Sequence, residues 1–341
     1  MTNFYDASQA EQIASLTVLA QNALAQYPGA YGVPELVKYR ENAIFSVRDS
    51  DGNRFALRIH RPNYHSDAAL NSEVAWMEAL ERQGLPVPQV ISNTKGELIT
   101  LASAPAVPEV RRADLLCWVD GVPLSQLEDE GSLPTRERAA LYRLLGGLMA
   151  QLHQHGAEWA TPSDFERHNW YTDALVGADP IWGRFWELPD LDQEQRQMML
   201  GAREEGARAL AKHPRNGDNS GLIHADLIAD NVMVAGDRLQ PIDFDDAGHG
   251  WHMFDIATTL YFHHRQPDFQ DLRDALIAGY REVRPLPQSE VDALPLFMML
   301  RGTTYLGWVS TRRETETARE LTPFLIEQAC SACEIYRKSC G

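Results

Sequence analysis

Asp226, Asn231 and Asp243 are the residues whose types and spacing allow this chain to do chemistry. They are a carboxylate, an amide five positions later and a second carboxylate beyond a hairpin, which is the set phosphoryl transfer needs. One carboxylate accepts or orients the proton of an attacking hydroxyl. The amide oxygen and the other carboxylate hold Mg2+ against a triphosphate, because hard cations prefer oxygen ligands. Asp and Asn are also common turn residues, and a lone His-x-Asp carries little meaning. Here the order and spacing fall together on a strand, a polar loop and a hairpin, which ordinary turns have no reason to reproduce.

The elements that must position these groups lie between residues 222 and 255. Leu222-Ile223 is a short apolar run, broken by His224-Ala225-Asp226. Val232-Met233-Val234 follows Asn231, Ala235-Gly236-Asp237 makes a tight turn, and Arg238 to Ile242 returns as the partner strand. That strand ends in Ile242-Asp243-Phe244-Asp245-Asp246. The loop before the hairpin and the turn after it are therefore expected side by side, with Asp226, Asn231 and Asp243 converging.

His224, Asp226, Asn231 and Asp243 fit, in order, the protein-kinase template of H-x-D, a following Asn and a metal-binding Asp. Asp-Phe-Asp stands in place of Asp-Phe-Gly, and Asp255-Ile256-Ala257 follows. In these respects the stretch resembles the aminoglycoside phosphotransferase and choline kinase-like family, which includes type II homoserine kinases and bacterial stress-response kinases. The resemblance runs over nearly the whole chain, with its specific motifs confined to 222–257 and, more weakly, 41–62. It implies an α+β, bilobal protein-kinase-like fold: a small α/β N-lobe over 1–116, a hinge at 117–123 and a larger, mainly helical C-lobe over 124–341. It also implies ATP and Mg2+ as cofactors. In that frame Asp226 is the catalytic residue, Asn231 and Asp243 hold the metal with Asp245 supporting it, and His224 and Asp255 scaffold the catalytic loop.

Nearer the N-terminus, Ile44 to Val47 and Phe55 to Ile59 alternate about Asp51-Gly52, which predicts a hairpin. In the kinase-like architecture this pair covers the nucleotide. Arg58 stands where that architecture places its phosphate-binding lysine, on the face opposite Phe55, Leu57 and Ile59. A planar fork thus replaces a point charge. The loop Tyr39-Arg40-Glu41-Asn42-Ala43 lacks the glycines of a protein-kinase phosphate loop. Glu73, on a helix over 71–80, is by analogy the ion-pair partner of Arg58; the plainer reading is a solvent-facing glutamate, and position alone does not separate the two. Trp118 and Val119, at the hinge, offer backbone groups to an adenine edge.

The second lobe is expected to open with Thr135 as N-cap and a helix carrying Leu141, Leu144, Leu145, Leu148, Met149 and Leu152 on its apolar face. His153-Gln154-His155 is not read as a metal site, because i and i+2 point apart on a helix. A run of aromatics from Trp159 to Trp186, with Asp164 and Asp173, either boxes a cationic group or packs on the lobe. Helical patterns recur at 191–213, 256–263, 269–283, 291–311 and 317–338. Arg301, Tyr305 and Trp308 share one helix face, and the family's C-terminal helices border its acceptor pocket, so these three are substrate candidates.

With 341 residues, 44% of them hydrophobic, the chain can bury one large core or two lobes. The net charge of −17 and pI near 5.0 argue against nucleic-acid or anionic-membrane partners. The plain reading of that charge is a soluble acidic protein and the functional one a cleft that attracts cations, while the aromatic run at 159–186 favours a closed pocket for a small-molecule acceptor. The N-terminal residues show no basic n-region or apolar h-region, and no window is apolar enough to span a membrane, so a cytoplasmic protein is expected. Cys117, Cys330, Cys333 and Cys340 are read as free thiols. The expected activity is ATP- and Mg-dependent O-phosphorylation of a small, amine-bearing metabolite such as homoserine, an amino alcohol or an aminoglycoside. Two rivals stand beside it: a protein Ser/Thr kinase of the stress-response type, and a nucleotide-binding module without turnover.

Overall fold

A computed structural model describes residues 4–39, 42–129 and 133–340. Arg40 and Glu41, of the glycine-free loop, lie outside the described residues. The chain divides into two compact units, Met1–Gly121 with Thr161–Glu166 and Gln240–Ile242, and Val122–Ala160 with Arg167–Leu239 and Asp243–Gly341.

The first unit is built on an antiparallel sheet. Its strands run in the order Glu35–Tyr39, Ala43–Arg48, Arg54–Ile59, Arg111–Cys117 and Val90–Ile91, and Thr100–Ala102 also pairs with Arg111–Cys117. The expected hairpin forms because Asp49 Oδ1 accepts the amides of Asp51 and Asn53, both at 2.9 Å, while Gly52 takes the left-handed φ of 88°. Phe45, Val47, Leu57, Ile59, Ala113 and Leu115 meet Leu16, Leu19 and Leu24 of helix Gln9–Leu24 in one core. Ser8 and Glu11 close a capping box at the start of that helix. The second helix is Asp67–Arg82, longer than its apolar pattern suggests, because the Ser66 side chain caps it by accepting from the Ala69 amide at 3.0 Å.

The second unit is mainly helical. Its long helix, Thr135–Glu158, starts after Pro134 and not at a Thr135 cap: Pro134 has φ −55° and ψ 145°, makes no side-chain cap bond, and leaves Thr135 as the first helical residue. This helix crosses Phe269–Val283 at backbone distance. A Cβ on Gly146 would sit 1.9 Å from Leu276 O, and one on Gly279 1.8 Å from Arg143 O, so only glycine permits the approach. Leu294–Ser310 runs buried along most of its length and packs on Glu316–Ser339. The expected 291–311 helix is thus two, Gln288–Asp292 and Leu294–Ser310, with Pro295 in the first turn of the second.

Two small sheets carry the loops of interest. Ser220–Ile223 runs antiparallel to Gly248–Trp251, which runs parallel to His168–Trp170. Val232–Ala235 pairs with Val122–Pro123 and with Arg238–Pro241. The aromatic stretch resolves toward packing: Trp170, Trp182, Phe185 and Trp186 are buried in the core of this unit. Among the described residues, no helix is long and apolar enough to cross a membrane.

Candidate active site

The chain leaves strand Ser220–Ile223 at His224 and turns sharply at Ala225, whose φ of 64° is unusual for a residue with a side chain. Asp255 holds that turn. Its carboxylate accepts the His224 amide at 2.8 Å and the Ala225 amide at 2.7 Å. Behind it lies His153, fully buried, with Nε2 3.0 Å from Asp255 Oδ2 and Nδ1 2.9 Å from the Tyr280 hydroxyl. Burial, with the Arg284 charge adding to it, lowers the His153 pKa to about 3. The ring is therefore neutral, so Nε2–H donates to Asp255 and Nδ1 accepts from Tyr280. The His224 ring packs on Phe244, and Thr259 Oγ1 donates to Leu227 O at 2.6 Å, tying down the loop beyond Asp226.

His153 should leave a signature in acid. The unfolded chain binds a proton at this residue below its ordinary pKa of 6.5, whereas the native state does so only below about 3. Between those values the unfolded state holds the extra proton, and native stability falls as pH falls, by about 1.4 kcal/mol per pH unit from this residue. His252, stacked on His153 with ring centroids 4.3 Å apart, is pushed the same way by burial. In urea denaturation followed from pH 7 toward pH 4, stability of His153→Gln should decline less steeply than that of the wild type. Parallel declines would show that His153 is not held neutral.

Both oxygens of Asp226 are engaged. Oδ1 accepts from Arg301 Nη2 at 2.6 Å, and Oδ2 from Asn231 Nδ2 at 2.9 Å. Arg301 is completely buried. Its Nη1 donates to Ala225 O at 3.1 Å, its Nη2 also to the Tyr305 hydroxyl at 2.9 Å, and its guanidinium lies 4.2 Å from the Tyr305 ring centroid and 5.2 Å from that of Trp182. Of the three substrate candidates, Arg301 thus sits directly on Asp226 and Tyr305 behind it. Trp308 is only partly buried and lies against Arg312. The cations held by the aromatic stretch are likewise the protein's own: Arg301 against Trp182, and Arg203 4.3 Å from Trp186.

Asp243 follows the hairpin at φ 66° and ψ 69° and opens a short turn, Phe244–Asp246. Arg167 secures the turn by donating to the carbonyls of Phe244 at 3.1 Å, Asp245 at 2.5 Å and Ala247 at 2.7 Å. Trp170 Nε1 donates to Asp246 O at 2.8 Å. Asp243 is exposed, whereas Asp245 is buried. The Asp246 carboxyl is pushed well above the usual carboxylate range, by burial first and then by the charges of Asp226, Asp245 and Asp243, with Arg301 opposing.

In the first unit, sheet register sets Arg58 opposite Asp114. The guanidinium donates Nε and Nη2 to the two oxygens of Asp114, at 2.8 and 2.6 Å, and Nη1 lies 2.8 Å from Glu73 Oε1. Glu73 is buried, not solvent-facing, and Arg58 lies between two carboxylates instead of pairing with one. Burial alone would raise the Asp114 pKa, but Arg58 and then His60, 3.1 Å away, outweigh it and hold the carboxyl far below its ordinary range. The Trp118 amide donates to Arg54 O at 3.1 Å and its ring lies 3.5 Å below the Arg54 guanidinium. Val119 makes no hydrogen bond among the described residues.

A magnesium ion suits what the second unit offers. Asn231 directs its Nδ2 to Asp226 O and Oδ2, both at 2.9 Å, so its amide oxygen is turned to other use. With the exposed Asp243 carboxylate, this is a hard-oxygen pair of the kind Mg2+ takes alongside phosphates and water. Such a pair is smaller than an all-protein cage, and among the described residues no group of His, Cys, Asp and Glu side chains forms one.

Comparison with known proteins bears on the family and the fold. Residues 34–289 match the family described as the phosphotransferase enzyme family. A homoserine kinase of Methylobacterium radiotolerans is 29% identical over 313 residues, covering 88% of this chain and 87% of that protein. Among solved structures, a microcompartment-associated aminopropanol kinase superposes with a TM-score of 0.82 at 26% identity, over 95% of this chain and 98% of the other. An amicoumacin kinase in complex with AMP-PNP, Ca2+ and Ami shares the fold, with a TM-score of 0.74 at 19% identity over 95% and 96% of the two chains. The fold is α+β and protein-kinase-like, and the chain belongs to the phosphotransferase enzyme family, as a phosphotransferase that acts on a hydroxyl group.

Proposed function

We propose that this protein is an ATP- and Mg2+-dependent kinase of a small amino alcohol or hydroxy amino acid. The observation that carries the reading is Asp226, held on one oxygen by Arg301 and on the other by Asn231. A carboxylate so fixed is held firmly in one orientation. It orients the acceptor hydroxyl toward the phosphoryl group and takes its proton late, which suits a loose transition state with little need of early deprotonation. Asn231 and Asp243 would hold Mg2+, which when bound neutralises charge on the phosphates. Arg58, its fork held by Asp114 and its Nη1 by Glu73, would offer remaining N–H groups and its charge to phosphate oxygens. His224 and Asp255 keep the loop in the strained turn that aims Asp226.

The amine follows from the relatives, whose names specify homoserine and aminopropanol, and from the acidic balance of −17. The three relatives described above are named as kinases of homoserine, aminopropanol and amicoumacin, which favours a small acceptor over a protein. The test is kcat/KM for matched acceptors, each amino alcohol beside its analogue with nitrogen replaced by carbon or oxygen. The amine-bearing member should win. Equal performance of the pair would reduce the acidic charge to a solubility feature and remove the amine from the proposal.

A further inference from the structure

One partly buried acid of the second unit has been given no role in the proton or metal chemistry proposed above. Asp246 Oδ1 is fully buried and has no hydrogen-bond partner among the described residues. A buried acceptor left open is destabilising unless something completes it. Its surroundings are acidic, since it lies in the field of Asp226, Asp245 and Asp243. The cation in that field, Arg301, directs its terminal nitrogens to Asp226, Ala225 O and Tyr305. The backbone beneath is fixed by the Trp170 indole on Asp246 O and by Arg167 on the flanking carbonyls, so the position of the Asp246 Cα is set.

We infer that Asp246 is the site for the acceptor's cationic nitrogen, an inference that rests on the amine reading given under the proposed function. An acceptor with its hydroxyl at Asp226 and an ammonium a few bonds away would bring an N–H donor to the open oxygen, and a positive charge that offsets the neighbouring carboxylates and favours the ionised form of Asp246. A diol brings a donor without charge, and a trimethylated nitrogen brings charge without a donor. The specificity this dictates is for primary and secondary amines over both. Asp226 therefore reads the hydroxyl and Asp246 the nitrogen.

The experiment compares the ratio of kcat/KM for aminopropanol to that for its diol analogue, in the wild type and in Asp246→Asn, with Mg-nucleotide affinity measured on both. Each ratio is internal to one protein preparation, so partial misfolding cancels. Asp246→Asn should lower the ratio by roughly 30-fold, mainly through KM for the amine, as loss of one partner of a buried charge pair does. A ratio that stays at the wild-type value, in a wild type that prefers the amine, overturns the assignment of Asp246 and leaves the proposed function standing. A defect confined to Mg-nucleotide affinity also overturns it and transfers Asp246 to the metal. A wild type with no preference for the amine overturns both the amine reading and this site.

Discussion

Asp226→Asn is expected to lower kcat by roughly 10²–10⁴-fold, the usual contribution of a positioned general base. The asparagine keeps the shape, but it cannot take the hydroxyl proton, and it leaves Arg301 without its charge partner at 2.6 Å. Arg301 is buried but the Asp226 side chain is 21% exposed, so the variant should unfold earlier than the wild type, by less than removal from a fully buried pair would cause. Mg-nucleotide affinity is the control that separates the two effects. It should remain near the wild-type value, since Asn231, Asp243 and Arg58 are unaltered. A variant that turns over at close to the wild-type rate would take Asp226 out of the chemistry.

Asp243→Ala should act on the other substrate. It removes a charged oxygen ligand, and the expected loss of Mg-dependent nucleotide affinity is at least the roughly 10–100-fold that removing an outer partner of a metal site causes. Asp243 is exposed and stands at the start of a turn that Arg167 and Trp170 hold through backbone carbonyls, so the substitution leaves those anchors in place. Its positive φ disfavours alanine somewhat, but this is a local strain of order 1 kcal/mol. Nucleotide titrations with and without Mg2+ measure the effect. An unchanged magnesium requirement would contradict the assignment.

The site was legible in the sequence where its parts are close along the chain. Asp226 and Asn231 are five positions apart, and the loop between them is too short to let them separate far. Asp255 stood out because it follows the acidic turn within the same stretch. Asp114 was not legible: its tie to Arg58 crosses 56 positions and depends on which residues of two strands face each other. A lone aspartate within the apolar run Ala113 to Leu116 was the available signal, since a charge in such a strand needs a buried partner. Arg301 was selected from its helix face, but a target 75 positions away cannot be read from periodicity, and the acid that holds it is Asp226.

Asp246 was hidden for another reason. Asp243, Asp245 and Asp246 stand within four residues after Ile242, and their spacing alone does not say which oxygen is enclosed. His153 was set aside as a metal ligand on helix geometry, and its burial against Asp255 and Tyr280 arises only when three helices meet. The aromatic stretch shows the same limit. Its rings were open to a boxing or a packing role, and the folded chain buries several of them and places its own arginines against Trp182 and Trp186.

The most direct measurement of the central claim is the fate of the γ-phosphoryl group. ATP labelled at that position is incubated with the protein, Mg2+ and homoserine or aminopropanol, and the labelled product is isolated and its site of attachment determined. The account predicts an O-phosphate ester on the acceptor hydroxyl, formed only with Mg2+ and lost in Asp226→Asn. Label recovered solely as unreacted ATP or inorganic phosphate, or an ester formed equally well by Asp226→Asn, would contradict it.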